Sequence, residues 1–167
     1  MRKTLLRAVL SLSCLAPLAA TPAAAQCAFC QISNFDSNLC LQPVNGSAAQ
    51  GAAIVQEPCN GSVAQQWTAV HLGGTVFRYV NSLSGLCLDA RGGAANHTPV
   101  QQWTCNNISN EKWDPGEYVS DTVPPLYSRV SGTRSYCLDV PGGQHTAGLA
   151  MQIYRCNGTL AQIWWTP

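Results

Sequence analysis

Apolar and polar positions in this chain alternate over short distances. In Val100-Gln101-Gln102-Trp103-Thr104-Cys105 every second residue, Gln101, Trp103 and Cys105, would share one side of a strand. Between apolar stretches lie NGSAAQG, RGGAANHTP and PGGQHTAG. Asn-Gly and Gly-Gly break strands and promote tight reversals. No long segment carries helical periodicity. The pattern predicts an all-β chain of short strands joined by tight turns.

Aligned against itself, the chain repeats three times. Cys40-Leu41-Gln42, Cys87-Leu88-Asp89 and Cys137-Leu138-Asp139 open similar segments. A second cysteine follows 19, 18 and 19 residues later, at Cys59, Cys105 and Cys156, and a tryptophan 8 residues after that, at Trp67, Trp113 and Trp164. A fixed period of this length marks a repeat architecture. The expected repeats run from about 34 to 75, 76 to 125 and 126 to 167, arranged with pseudo-threefold symmetry. Trp67, Trp113 and Trp164 are expected to meet near the axis as core. One disulfide is expected inside each repeat: Cys40–Cys59, Cys87–Cys105 and Cys137–Cys156. Each closes a loop worth roughly 3 kcal/mol on the chain-entropy view.

The first residues follow a different pattern. Arg2, Lys3 and Arg7 accompany the run LLRAVLSLSCLAPLAA, which leads to AAA before Gln26. That layout predicts a secretory signal over 1–25, hence a secreted protein, extracellular or periplasmic and of bacterial type. Without those three, six basic side chains face eight acidic ones. No basic patch points to nucleic acid, and no later run is long enough to span a membrane. Eight cysteines then remain, an even number that favours disulfides in an exported chain. Cys27 and Cys30, in a short segment over 26–33, are read as a local disulfide. His71, His97 and His145 form no HExxH pattern or zinc spacing, and no phosphate or dinucleotide fingerprint occurs. Neither metal nor cofactor is expected.

The three C-L-D/Q openings, combined with the endings Gln65-Gln66-Trp67, Glu111-Lys112-Trp113 and Gln162-Ile163-Trp164, resemble the ricin B-chain-type lectins. The resemblance implies a β-trefoil over 34–167 and one potential sugar site per repeat. It places the middle site on Asp89, Gln101, Trp103, Asn110 and Glu111, and the third on Asp139, Gln152, Tyr154, Ala161 and Gln162. The first repeat offers Gln42, Val55, Glu57, Ala64 and Gln65, without the carboxylate and the ring, and is expected to be silent. The middle site is expected to be the best and the third weaker. The middle copy departs from the family pattern in having Glu111 where the others have glutamine.

These residue types suit saccharides. A carboxylate accepts two hydroxyl protons at once through charge-assisted bonds. Glutamine and asparagine amides both donate and accept, as hydroxyls do. An aromatic ring offers a flat apolar surface to the C–H face of a sugar. If the segments joined by Cys87–Cys105 run antiparallel, Asp89 and Trp103 become neighbours, and so do Asp139 and Tyr154 beside Cys137–Cys156. Asp89 also suits capping of the Arg91-Gly92-Gly93 turn, and Trp103 also suits a core. Non-enzymatic binding of galactose-type or xylan-like glycans is the function expected. Two other readings remain open. One is a protein-binding subunit that serves a separate catalytic or toxin chain. The other is a glycosidase using Asp89 and Glu111 as its carboxylate pair.

Overall fold

The computed structural model describes residues 31–118 and 122–167. The segment over 1–25 and the expected Cys27–Cys30 bridge lie outside the described residues. Within them the chain is all-β. Twelve strands are joined by tight turns, and the only helical segments among the described residues are five three-residue 3-10 turns.

Each repeat uses the same parts. A hairpin carries the disulfide: β2 (Leu39–Pro43) with β3 (Ile54–Pro58), β6 (Cys87–Ala90) with β7 (Thr98–Trp103), and β10 (Tyr136–Asp139) with β11 (Gln152–Arg155). The predicted pairs Cys40–Cys59, Cys87–Cys105 and Cys137–Cys156 all form, with Cα–Cα distances of 5.1, 5.3 and 5.1 Å. A 3-10 turn follows each hairpin, at Val63–Gln65, Ser109–Glu111 and Leu160–Gln162. Next comes a strand opening on tryptophan: β4 (Trp67–Gly73), β8 (Trp113–Asp114) and β12 (Trp164–Trp165). Each pairs antiparallel with a further short strand: β5 (Val76–Asn81), β9 (Tyr127–Ser128) and β1 (Ser33–Asn34). Because β12 pairs with β1, the last repeat closes onto the first.

The turns inside the hairpins need left-handed backbone. In the third repeat Gly142 and Gly143 have φ of 63° and 62°, a consecutive pair that only glycine adopts without a steric penalty.

The core sits where the sequence placed it. Trp67, Trp113 and Trp164 are almost fully buried with Leu41, Leu88, Leu138 and Ile153. Their indole nitrogens donate to the carbonyls of Leu41, Leu88 and Leu138 at 3.1, 2.9 and 2.9 Å, so no buried indole N–H goes unpaired. Buried Asp114 ties the second repeat to the third by accepting bonds from Arg129 and Arg134. Burial alone would raise its pKa, but Arg134, the Gly116 amide and Thr75 outweigh that and hold it below the usual carboxylate value.

The three hairpins dock on one another in a triangle, and this contact positions the sites. In each case the amide of a left-handed residue, before the second strand of one hairpin, donates to a carbonyl of the next hairpin. The bonds run from Gly51 to Gln102 at 2.8 Å, from His97 to Ile153 at 3.1 Å and from Gly148 to Gln56 at 2.9 Å. Each accepting residue lies just before the ring position of its repeat, so one repeat's turn sits beside the next repeat's candidate site.

Candidate functional site

In the third repeat the antiparallel register sets Asp139 opposite Gln152 and Cys137 opposite Tyr154. Asp139 and Tyr154 therefore share a face as diagonal neighbours, the ring two positions along from the carboxylate's direct partner. In the second repeat Asp89 stands opposite Gln101, and Trp103 opposite Cys87. The expected residues are thus brought together, with the glutamine rather than the ring directly across from each aspartate. Trp103 and Tyr154 are both half-buried, unlike the three core tryptophans. The Asp89 carboxylate accepts from Gln101 Nε2 across the hairpin at 2.9 Å.

The third-repeat carboxylate is held from two sides. Gln152 Nε2 donates to its Oδ2 at 2.7 Å, and Gln162 Nε2 to its Oδ1 at 3.0 Å. Gln162 is fully buried, its amide oxygen accepting the Asn157 N–H at 2.9 Å. It positions Asp139 from beneath the surface. Asp139 and Tyr154 line a cavity of about 480 Å³, to which His97 and Asp36 also contribute. That size lies within the range of small-molecule sites, about 300–1,000 Å³. Ala161, which takes the place of the middle repeat's Asn110, lines it as well.

His97 belongs to the second repeat by sequence, but its ring reaches the third. Its ring lies against Tyr154, with centroids 5.1 Å apart, and its Nδ1 is 3.0 Å from Gln152 Oε1. The triangle of hairpins carries this side chain out of its own repeat.

The first repeat keeps the framework with altered chemistry. Gln65 Nε2 donates to Gln42 Oε1 at 3.0 Å, so an amide oxygen, already engaged, stands where the other repeats have a carboxylate. Val55 is buried opposite it, and Glu57 occupies the ring position.

The second repeat differs at Glu111. Like Gln65 and Gln162 it is fully buried, and its Oε1 accepts the Asn106 N–H at 2.8 Å, as Gln65 and Gln162 accept from Asn60 and Asn157. Its second oxygen accepts the Asn107 N–H at 2.9 Å. The glutamines turn an N–H toward the neighbouring Gln42 or Asp139; Glu111 has none to offer Asp89. Asn110, half-buried, sits in the same turn, which packs on β6. Burial pushes the Asp89 carboxyl above its ordinary pKa. The Gln101 hydrogen bond opposes that rise, and the Glu111 charge adds to it.

A carboxyl raised in the folded state stabilises the fold most when protonated, below about pH 4. That contribution is lost as pH rises through the folded pKa. Glu111→Gln removes the repelling charge and supplies a donor, so it lowers the Asp89 pKa. The expected result is a middle-repeat site that keeps its carboxylate to lower pH. An NMR titration of the Asp89 carboxyl carbon checks this. An unchanged midpoint in the variant would contradict the assignment.

These features recur in known proteins. Residues 24–103 match the family model of the ricin-type β-trefoil lectin domain-like proteins. The chain is a β-trefoil, and its first half resembles the ricin-type lectin domains. Among solved trefoils it is similar to ThreeFoil, a designed 3-fold symmetric protein, with 26% identity and a TM-score of 0.76 over 82% of this chain and 96% of that one. It is also similar to an exo-β-1,3-galactanase from Clostridium thermocellum, with 28% identity and a TM-score of 0.73 over 82% of this chain and 29% of that one. Serine protease 1 of Rarobacter faecitabidus is 34% identical over 79 residues, 47% of this chain. The chain spans only 14% of that curated relative's length.

Proposed function

We propose that the protein is a secreted lectin that recognises galactose-type or xylan-like glycans non-covalently through its second and third repeats. One observation carries the reading. Asp139, its carboxylate oriented by Gln152 and Gln162, lines an open cavity of about 480 Å³ beside the half-buried ring of Tyr154. A hydroxyl-rich ligand with one apolar face matches that pairing of acceptor and ring. The ricin-type fold supports the same class of ligand, and the trefoil-bearing galactanase is named for action on a galactose polymer.

The sequence ranked the middle site above the third, whereas the geometry favours the third. The cavity lies there, and its carboxylate receives two amide donors where Asp89 receives one and faces a second carboxylate. The expected affinity for one sugar is roughly millimolar to high micromolar, about −4 to −6 kcal/mol. Two sites on one molecule raise avidity for branched or repeating glycans.

Both oxygens of Glu111 accept backbone N–H bonds. That engagement favours a structural role over proton transfer, and so favours binding over hydrolysis by an Asp89–Glu111 pair. Glycans are the proposed partners. A separate catalytic chain is a second proposed partner, supported by the similar trefoil that forms a minor part of a galactanase and by the similar segment that forms a minor part of a serine protease.

A glycan array probed with the purified protein tests the function. Selective retention on galactose-terminated or xylan glycans is expected, and no retention on any glycan would refute it. Export is tested by N-terminal sequencing of protein from the culture fluid. The first residue should be Gln26; an intact Met1 would refute processing there.

A further inference from the structure

The left-handed position at the end of each hairpin turn is occupied by Gly51 in the first repeat and Gly148 in the third, with φ of 82° and 78°. The second repeat places His97 there with φ of 64°, a conformation that a side chain with a Cβ adopts only against a steric penalty. All three amides make the same bond to the next hairpin. The backbone duty is therefore met equally by glycine, and the imidazole must be explained by what its ring does.

The surroundings say where each of these positions points. A Cβ at Gly51 would lie 3.5 Å from the ring of Trp103, and one at Gly148 would lie 3.7 Å from Glu57 Oε1. In every repeat this residue faces the ring position of the next. Glycine leaves Trp103 uncovered on that side, whereas the second repeat projects a histidine over the third-repeat cavity.

The hydrogen bonds assign the tautomer of the imidazole. Asp139 only accepts, so the Gln152 Nε2 that meets it is the amide's donor end. Gln152 Oε1 therefore faces His97, and Nδ1 carries the proton shared with it. In the neutral ring Nε2 is then left as an acceptor. The chain from His97 through Gln152 to Asp139 holds two acceptors, an imidazole nitrogen and a carboxylate, in the lining of one cavity.

Building on the sugar-site reading above, we propose that His97 of the second repeat is a ligand-contacting, specificity-determining residue of the third-repeat site, its Nε2 accepting a hydrogen bond from a saccharide hydroxyl beyond those held by Asp139. The site is thus shared between repeats. It favours a disaccharide or longer chain over a single sugar, because the contact added by His97 lies outside the aspartate–ring pair.

Calorimetric titration with β-1,3-galactobiose, lactose and xylobiose tests this, with Asp89→Ala as the parent so that only the third repeat is read. His97→Gly installs the residue found at both equivalent positions and suits the backbone. The expected result is at least a fivefold loss of affinity for whichever disaccharide the parent binds best. Galactose or xylose alone should lose less, and the thermal midpoint should not fall. Adding Asp139→Ala to the parent should abolish binding. If that variant binds like its parent, or the parent binds none of the probes, the third-repeat site itself is refuted. If Asp139→Ala abolishes binding while His97→Gly binds as tightly as the parent or tighter, the site stands and the role of His97 is overturned. A lost affinity accompanied by a lower midpoint would also overturn it, by assigning His97 to holding the turn.

Discussion

Asp89→Ala combined with Asp139→Ala abolishes saccharide binding, and each substitution alone weakens it, Asp139→Ala the more. A hydrogen bond to a charged group contributes about 1.5–3 kcal/mol, so each lost bond weakens binding roughly 10- to 100-fold. From a millimolar to high-micromolar start, losing both carboxylates leaves nothing measurable. The third repeat has more to lose because its carboxylate organises the surroundings. Without it, Gln152 and Gln162 each lose an acceptor that now lies at 2.7 or 3.0 Å. Asp139→Asn separates recognition from folding. It keeps shape and one acceptor oxygen but turns an N–H toward the other glutamine's donor, so the thermal midpoint should fall less than in Asp139→Ala while binding still falls. Glycan-array retention and calorimetry read the first effect, and calorimetric melting reads the second. A trefoil that recognises protein surfaces would show undiminished partner binding in all of these variants.

Trp164→Ala lowers folding stability by about 3–5 kcal/mol, the cost of emptying a core tryptophan site. The indole is 1% exposed and its N–H satisfies the Leu138 carbonyl, which the substitution also leaves without that partner. Since whole domains are stable by about 5–15 kcal/mol, the loss is a large share of the total. Trp67→Ala and Trp113→Ala should behave alike, because their burial and their bonds to Leu41 and Leu88 repeat the arrangement. Trp103→Ala is the contrast: half-buried at the site, it should cost far less stability yet weaken binding at the middle repeat. Urea unfolding of the four variants checks both statements. Equal stability losses at 103 and 164 would place Trp103 in the core and remove it from the site.

The sequence made the repeating parts legible because each is encoded locally and three times. Cysteine spacing, the turns after each opening and the tryptophan 8 residues on were enough to place the hairpins, the bridges and the core. Antiparallel pairing across a disulfide was enough to bring Asp139 near Tyr154, although the direct cross-strand partner proved to be Gln152. Contacts between repeats were not legible. His97 lies close to Gln101 in the chain, yet its ring meets Tyr154, because hairpin docking depends on how three separate units close on one another. Asp114 shows the same limit, since nothing in the spacing of Arg129 and Arg134 announces a shared buried carboxylate. Glu111 stood out as a departure from the pattern. That its two oxygens would be taken by the amides of Asn106 and Asn107 required the folded turn.

The most direct measurement is a ¹H–¹⁵N NMR titration of the purified protein with β-1,3-galactobiose and, separately, xylobiose. Saturable shifts should concentrate on the Gln152 side-chain amide, Tyr154 and His97, with a second and weaker set on the Trp103 indole and Gln101, while the buried indoles of Trp67, Trp113 and Trp164 stay in place. Shifts confined to surfaces away from both hairpins, or none with either sugar up to the solubility limit, would contradict it.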